Sequence, residues 1–263
     1  WAALVGSGLL SFCPLIWMYS IQAEVFAMNN FFVALLLYLT VVWHQTGDVR
    51  YAYWGALSLG LGLTNQHTLV LYAAPLVVWS MASAPKVLLT RRALTSLVAA
   101  ALAGLTPYLF LFWAAHYRPL GSWGDTSTIS GFLTHFLRKE YGTFQLYSGS
   151  DKASAQLLEA NLHYLTHLAS DALYLGMVPL ATGLFLALAT LRWRHSPSVL
   201  ILGAWVFYLV VFHTLSNLPI HTQKIFLGIH MRFWMQPHLV SFMLLGLGAP
   251  TTAASLGLWR PLP

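Results

Sequence analysis

A chain of 263 residues, 58% hydrophobic, 14% aromatic and only 8% charged, is not a soluble domain, because a water-facing surface needs about three times that charge. A single cysteine, Cys13, excludes a disulfide scaffold, and the aromatic and aliphatic load excludes disorder. What remains is an all-α fold, a polytopic transmembrane helical bundle. The net charge of +6 comes from basic residues that the positive-inside bias places between apolar runs, so no nucleic-acid partner is expected.

The chain opens at Trp1, without Met and inside an apolar run, and reads as a fragment of a longer protein. Residues 1–18 are uncharged and long enough to cross roughly 30 Å of hydrocarbon, so they are predicted as the first span. Residues 24–43 are predicted as the second. The stretch 51–83 would make a helix of roughly 50 Å, too long for one upright crossing and too short for two. Polar Thr64-Asn65-Gln66-His67 lies in its middle, Arg50 precedes it, and Lys86, Arg91 and Arg92 follow. The spacing predicts a short hairpin with both ends cytoplasmic. Further spans are predicted over 93–115, 170–191, 198–216 and 238–258, with polar loops over 116–167 and 217–237. Residues 1–263 form one transmembrane domain on this reading, without internal repeats.

Charge orients the bundle. Arg50, Lys86, Arg91, Arg92, Arg192, Arg194 and Arg260 sit in or beside short connectors and mark the cytoplasmic side. Glu24, Asp125, Glu140, Asp151, Glu159 and Asp171 fall on the other side, where any chemistry belongs.

In the first long loop, Ile129, Phe132, Leu133, Phe136 and Leu137 recur at helical spacing and predict an amphipathic helix over 128–141 that lies in the membrane interface. His135 and Arg138 share its polar face, Asp125, Thr126 and Ser127 precede it as caps, and Gly142 closes it. Asp125 reads equally as a cap or a functional acid, and Trp123 as an interface aromatic or a site residue. Glu140 falls inside the apolar stripe next to Tyr141, so it either faces protein with a basic partner or frays into water. In the second loop Arg232 suits a phosphate, which a guanidinium grips through two oxygens, or a lipid headgroup. Phe233 and Trp234 would hold it at the interface, with Gln236 close by. Glu24, Asn65, Gln66 and His67 are polar groups at membrane depth, either functional or bonding between helices. The histidine pairs His163 with His167 and His213 with His221 show no adjacent carboxylate or thiolate pattern, so no metal site is expected. A transporter or a non-catalytic membrane scaffold also fits these polar groups.

Several stretches carry a resemblance. Trp17-Met18-Tyr19-Ser20-Ile21-Gln22-Ala23-Glu24-Val25-Phe26, Leu63-Thr64-Asn65-Gln66-His67-Thr68, Trp123-Gly124-Asp125, the run GFLTHFLRKEYGTF from Gly131 to Phe144, and Arg232-Phe233-Trp234-Met235-Gln236 resemble the transmembrane protein 260 family. The resemblance covers essentially the whole chain and is weakest from Gln145 to Ser216. It implies a bundle of GT-C type, in glycosyltransferase family 117, with the amphipathic helix on the luminal side of the endoplasmic reticulum membrane. It implies a multi-pass protein O-mannosyltransferase that takes mannose from dolichyl phosphate mannose and places it on Ser or Thr of secretory-pathway proteins. The acceptors it implies are immunoglobulin-like, plexin and transcription factor (IPT) domains of plexins and related receptors. The lipid-linked sugar is substrate, and no cofactor is expected. Membrane lipid and the acceptor protein are the partners.

The family's acidic Gly-Asp-Ser-Gly-Glu loop has no match, so the general base is expected upstream of Trp1 and the chain alone is expected to be inactive. Arg232 and Arg138 are expected to bind the donor phosphate. Glu24, Asn65, Gln66, His67, Trp123, Asp125, His135, Glu140, Tyr141, Trp234 and Gln236 are the substrate-site candidates.

Overall fold

A computed structural model describes residues 1–117, 125–137, 139, 157–191, 196–216, 218–220 and 224–258. All regular structure among them is helical: α1 (Ala2–Phe12), α2 (Pro14–Ser20), α3 (Phe26–Thr46), α4 (Val49–Asn65), α5 (Val70–Ser83), α6 (Pro85–Leu88), α7 (Arg91–Gly104), α8 (Leu109–Tyr117), α9 (Ile129–Phe136), α10 (Leu157–Asp171), α11 (Met177–Ala189), α12 (Pro197–Leu215), α13 (Lys224–Met231) and α14 (Met235–Ser255), with short 3₁₀ turns before α5, α8 and α14.

Local chemistry explains the joints. Cys13 adopts an extended conformation and Pro14, which has no N–H to continue the first helix, opens α2 at 58° to α1. The run 1–18, read from sequence as the first span, is therefore bent at Cys13 and Pro14, as in a broken span or a re-entrant segment. At the end of α3, Gly47 takes a left-handed φ of 70° and returns its N–H to Trp43 O, and Asp48 then caps α4 by accepting from Arg50 N at 3.0 Å. At Gln66 the chain is extended, which separates α4 from the 3₁₀ turn His67–Leu69 and α5.

Both legs of this break line one apolar cavity. Tyr51, Ala52 and Leu59 of α4 face Ala73, Val77 and Met81 of α5, with Trp43 and Leu94 at the same level. The start of α4, the end of α5 and the start of α7 thus share one end of the bundle. Arg50, Lys86, Arg91 and Arg92 belong to that end. Tyr19, Glu24, the 65–68 turn, Tyr108 and Arg232 gather at the other.

Helix α14 is the axis, packed chiefly against α11 and α1 and more lightly against α3 and α12. Small residues permit the close crossings: a Cβ on Gly183 would run into the Leu244 carbonyl, and Gly6 lies against Gly246. Every residue from Met235 to Phe242 is buried. Three described helical stretches are long and apolar enough to cross a membrane: α3, the stretch 91–117 through α7 and α8, and α12. The bent pair α1–α2 makes a fourth if counted as one span. Helix α14 is not among them, and its first half carries Gln236, His238 and Ser241, which are buried inside the bundle. The sequence-read span 170–191 is also divided: α10 ends at Asp171, and α11 begins after a turn in which Leu173 and Tyr174 both have positive φ.

Candidate functional site

The polar end of the bundle is built around Arg232. Its Nη1 donates to Glu24 Oε1 at 2.9 Å, and its guanidinium lies 5.7 Å from the centre of the Tyr19 ring. Both members of the pair are about one-third exposed. They therefore sit at the rim of the bundle, where the Coulomb gain is modest and the exposed edge of the guanidinium stays available to a ligand. Tyr19 is fixed by donating its hydroxyl to Gly228 O at 3.1 Å, and Phe26 meets Phe233 edge-on at 5.0 Å.

The 64–68 turn closes over this pair. Asn65 Nδ2 donates to Val25 O at 2.9 Å, beside Glu24, and Gln236 Nε2 reaches Thr68 Oγ1 at 3.4 Å. Glu24, Asn65 and the 232–236 segment with Arg232 and Gln236, far apart in sequence, are therefore brought to the same end. Gln66 and Gln236 are buried, each with a side-chain oxygen that lacks a described partner. His67 turns outward instead. Its Nε2 is 3.2 Å from Tyr108 Oη, and its ring meets Phe136 at 6.0 Å.

Through Phe136, His67 holds α9 against the bundle. The helix is shorter than the 128–141 expected, running from Ile129 to Phe136, and its cap is Thr128, whose Oγ1 accepts from Gly131 N at 3.0 Å. Asp125 stands one turn earlier and accepts from Ser127 N at 3.1 Å. The apolar stripe divides: Phe132 and Phe136 meet Tyr108 edge-on, while Ile129, Leu133 and Leu137 remain exposed. His135 is part-buried on this helix. Trp123, Arg138, Glu140 and Tyr141 lie outside the described residues, and so do Gly142 and His221.

Two expectations need correction. Phe233 and Trp234 are not interface anchors: they are 7% and 1% exposed, and Trp234 Nε1 donates to His213 Nε2 at 3.3 Å inside the core. The buried indole finds a partner there, as a buried N–H must. The pair His163 and His167 does have carboxylates one helical turn away. Glu159 lies 3.6 Å from His163, and Asp171 lies 3.0 Å from His167.

Asp171 is the centre of a second cluster that local spacing gave no reason to expect. Besides His167, its Oδ2 meets His238 Nε2 at 3.1 Å and Cys13 Sγ at 3.3 Å. The available sequence signal was an acid set beside a long apolar run. Nearby, His230 Nδ1 pairs with Ser216 Oγ at 3.0 Å, and burial pushes its imidazole down to about 3, so it is neutral in the fold.

Comparison with known proteins agrees with the resemblance read from the sequence. Residues 1–90 match the family model described as the protein O-mannosyl-transferase TMEM260 N-terminal domain. Over 94% of its length the chain is 39% identical to a Dictyostelium discoideum protein named protein O-mannosyl-transferase tmem260, of which it covers 32%. A Mus musculus protein of the same name is 37% identical over 94% of the chain, which covers 36% of it. The chain thus resembles these proteins from end to end while spanning about a third of their length. No solved structure matches it at a significant level.

Proposed function

We propose that this chain is the donor-binding membrane part of a multi-pass protein O-mannosyltransferase of GT-C type in the endoplasmic reticulum membrane. It would move mannose from dolichyl phosphate mannose to Ser or Thr hydroxyls, with IPT domains of plexins and related receptors as acceptors. The observation that carries the reading is Arg232, oriented by Glu24 and Tyr19 at the polar end of a bundle whose relatives bear that activity in their names.

The physical case concerns the leaving group. When the sugar departs from a lipid-linked phosphate, negative charge grows on the phosphate oxygens. A cation fixed at that level stabilises the transition state more than the ground state. Glu24 fixes Arg232 through one N–H of the five that a guanidinium carries. An apolar cleft of about 660 Å³ opens between α1, α3, α12 and α14 and supplies a place for an isoprenoid chain. Leu239, which lines it, follows Arg232 by two helical turns, roughly 10 Å. Phosphate at Arg232 and lipid in the cleft are thus compatible with one bound molecule.

The test is transfer itself. Full-length protein reconstituted in liposomes with dolichyl phosphate mannose and a purified IPT domain should add one hexose mass per modified Ser or Thr. Absence of transfer from this donor, with transfer from a nucleotide sugar instead, would discard the proposed donor.

A further inference from the structure

We infer that Cys13, Asp171 and His238 form a binding site for a zinc-type transition-metal ion, with His167 beside its open position. The inference is independent of the transfer reaction. Three chain segments meet there: the α1–α2 break, the last turn of α10 and the first turn of α14. One sulfur, one carboxylate oxygen and one imidazole nitrogen all lie within 4.8 Å of one another. Tetrahedral zinc with bonds of about 2.0–2.3 Å draws such atoms to roughly 3.3–3.8 Å apart, so a small inward adjustment of side chains completes the shell.

Protons alone account poorly for the arrangement. Cys13 Sγ, His167 Nδ1 and His238 Nε2 all converge on the same oxygen, Asp171 Oδ2, at 3.3, 3.0 and 3.1 Å. Cys13 and His238 hydrogen-bond to that oxygen, while His167 Nδ1, only 3.0 Å away, makes no hydrogen bond to it and has no hydrogen-bond partner among the described residues. A dication placed among Cys13 Sγ, Asp171 Oδ2 and His238 Nε2 replaces the hydrogen bonds between them with a metal bond to each. The charges also balance. Zinc binding sends the Cys13 proton to solvent, and thiolate plus carboxylate neutralise the metal, which suits a site where Cys13, Asp171 and His238 are 1%, 9% and 0% exposed.

Access and support come from His167. Its side chain is 25% exposed, against 5% for Asp171, so it marks the wetter side of the cluster. There it orients the carboxylate in the way that outer ligands support metal sites. The ligand set of sulfur, nitrogen and oxygen favours zinc, or cobalt in its place, over magnesium or calcium, which take all-oxygen shells. The consequence is structural: the ion ties the α1–α2 bend to the start of the axial helix, six residues from Arg232.

The experiment uses full-length protein purified in detergent without chelator. Elemental analysis should find about one zinc per molecule more than in Cys13→Ser. Replacement with Co²⁺ should give a thiolate-to-cobalt charge-transfer absorption that Cys13→Ser abolishes. His167→Gln should keep that band and weaken zinc affinity by about 10–100-fold. Equal zinc content in wild type and Cys13→Ser would overturn the site. Should Cys13→Ser fail to fold, the wild-type cobalt spectrum decides, and absence of a sulfur charge-transfer band on Co²⁺ addition rejects the inference.

Discussion

Arg232 and Glu24 meet at 2.9 Å across 208 positions of sequence, one leading the 3₁₀ turn before the axial helix and the other closing the loop before α3. That contact joins two loops at the polar end, and it gives Glu24 a role other than proton transfer: it positions the cation. Glu24→Gln should keep the fold and lower kcat/KM for the donor. In a double-mutant cycle, Glu24→Gln and Arg232→Lys should couple by about 0.5–3 kcal/mol, as contacting residues do. Additive effects on kcat/KM would separate Glu24 from the phosphate site.

Arg50, Lys86, Arg91 and Arg92 share one end of the bundle, and the positive-inside bias predicts that this end faces the cytosol. A cysteine introduced at Lys224, beside the Arg232 end, should react with a membrane-impermeant thiol reagent only from the lumen. One at Arg50 should react only from the cytosol. The native Cys13 is buried and adds little background. Labelling of both positions from the same side would contradict the orientation.

Helix crossings predict a contrast between two glycines. Gly183→Ala drives a Cβ into the Leu244 carbonyl on α14 and should lower stability by about 1–3 kcal/mol. Gly203→Ala meets nothing within 4 Å and removes backbone freedom from the middle of α12, so it should be neutral or stabilising by about 0.5–1 kcal/mol. Thermal unfolding in detergent separates the two, and equal midpoints would count against the α11–α14 packing.

Burial of His230 has a signed pH consequence. Its folded pKa of about 3 lies below the usual value near 6.5. Between those values the unfolded chain binds a proton that the folded chain refuses, so stability rises with pH through the window and falls on acidification from pH 7 to 5. His230→Gln should flatten that slope in a series of thermal midpoints. An unchanged slope would show that His230 does not contribute to it.

How much of this was legible in the sequence depends on the range of the signal. The all-α class followed from apolar run lengths and scarce charge, which hydropathy reads locally. Glu24 and Arg232 stood out as ions beside apolar runs, but neither residue's surroundings say that they meet. Trp234 was misplaced because an aromatic beside an Arg reads the same at an interface as in a core. The deciding fact is tertiary: Met235 to Phe242 are buried on all sides, so periodicity cannot mark an outer face. The Cys13–Asp171–His238 cluster joins residues up to 225 positions apart, beyond any motif spacing. Histidine spacing pointed to His163 and His167 and overlooked the carboxylates one turn from each.

The most direct measurement is mannose transfer per correctly folded full-length molecule in an Arg232 series. Folded protein is quantified by monodisperse elution in detergent. Arg232→Ala should lose about 10²–10³-fold in kcat, the scale for removing a donor aimed at developing negative charge. Arg232→Lys should retain part of the activity, since it keeps the charge and loses the forked geometry. Full specific activity in Arg232→Ala, with only the membrane yield reduced, would make this residue a headgroup anchor and contradict the donor-phosphate account.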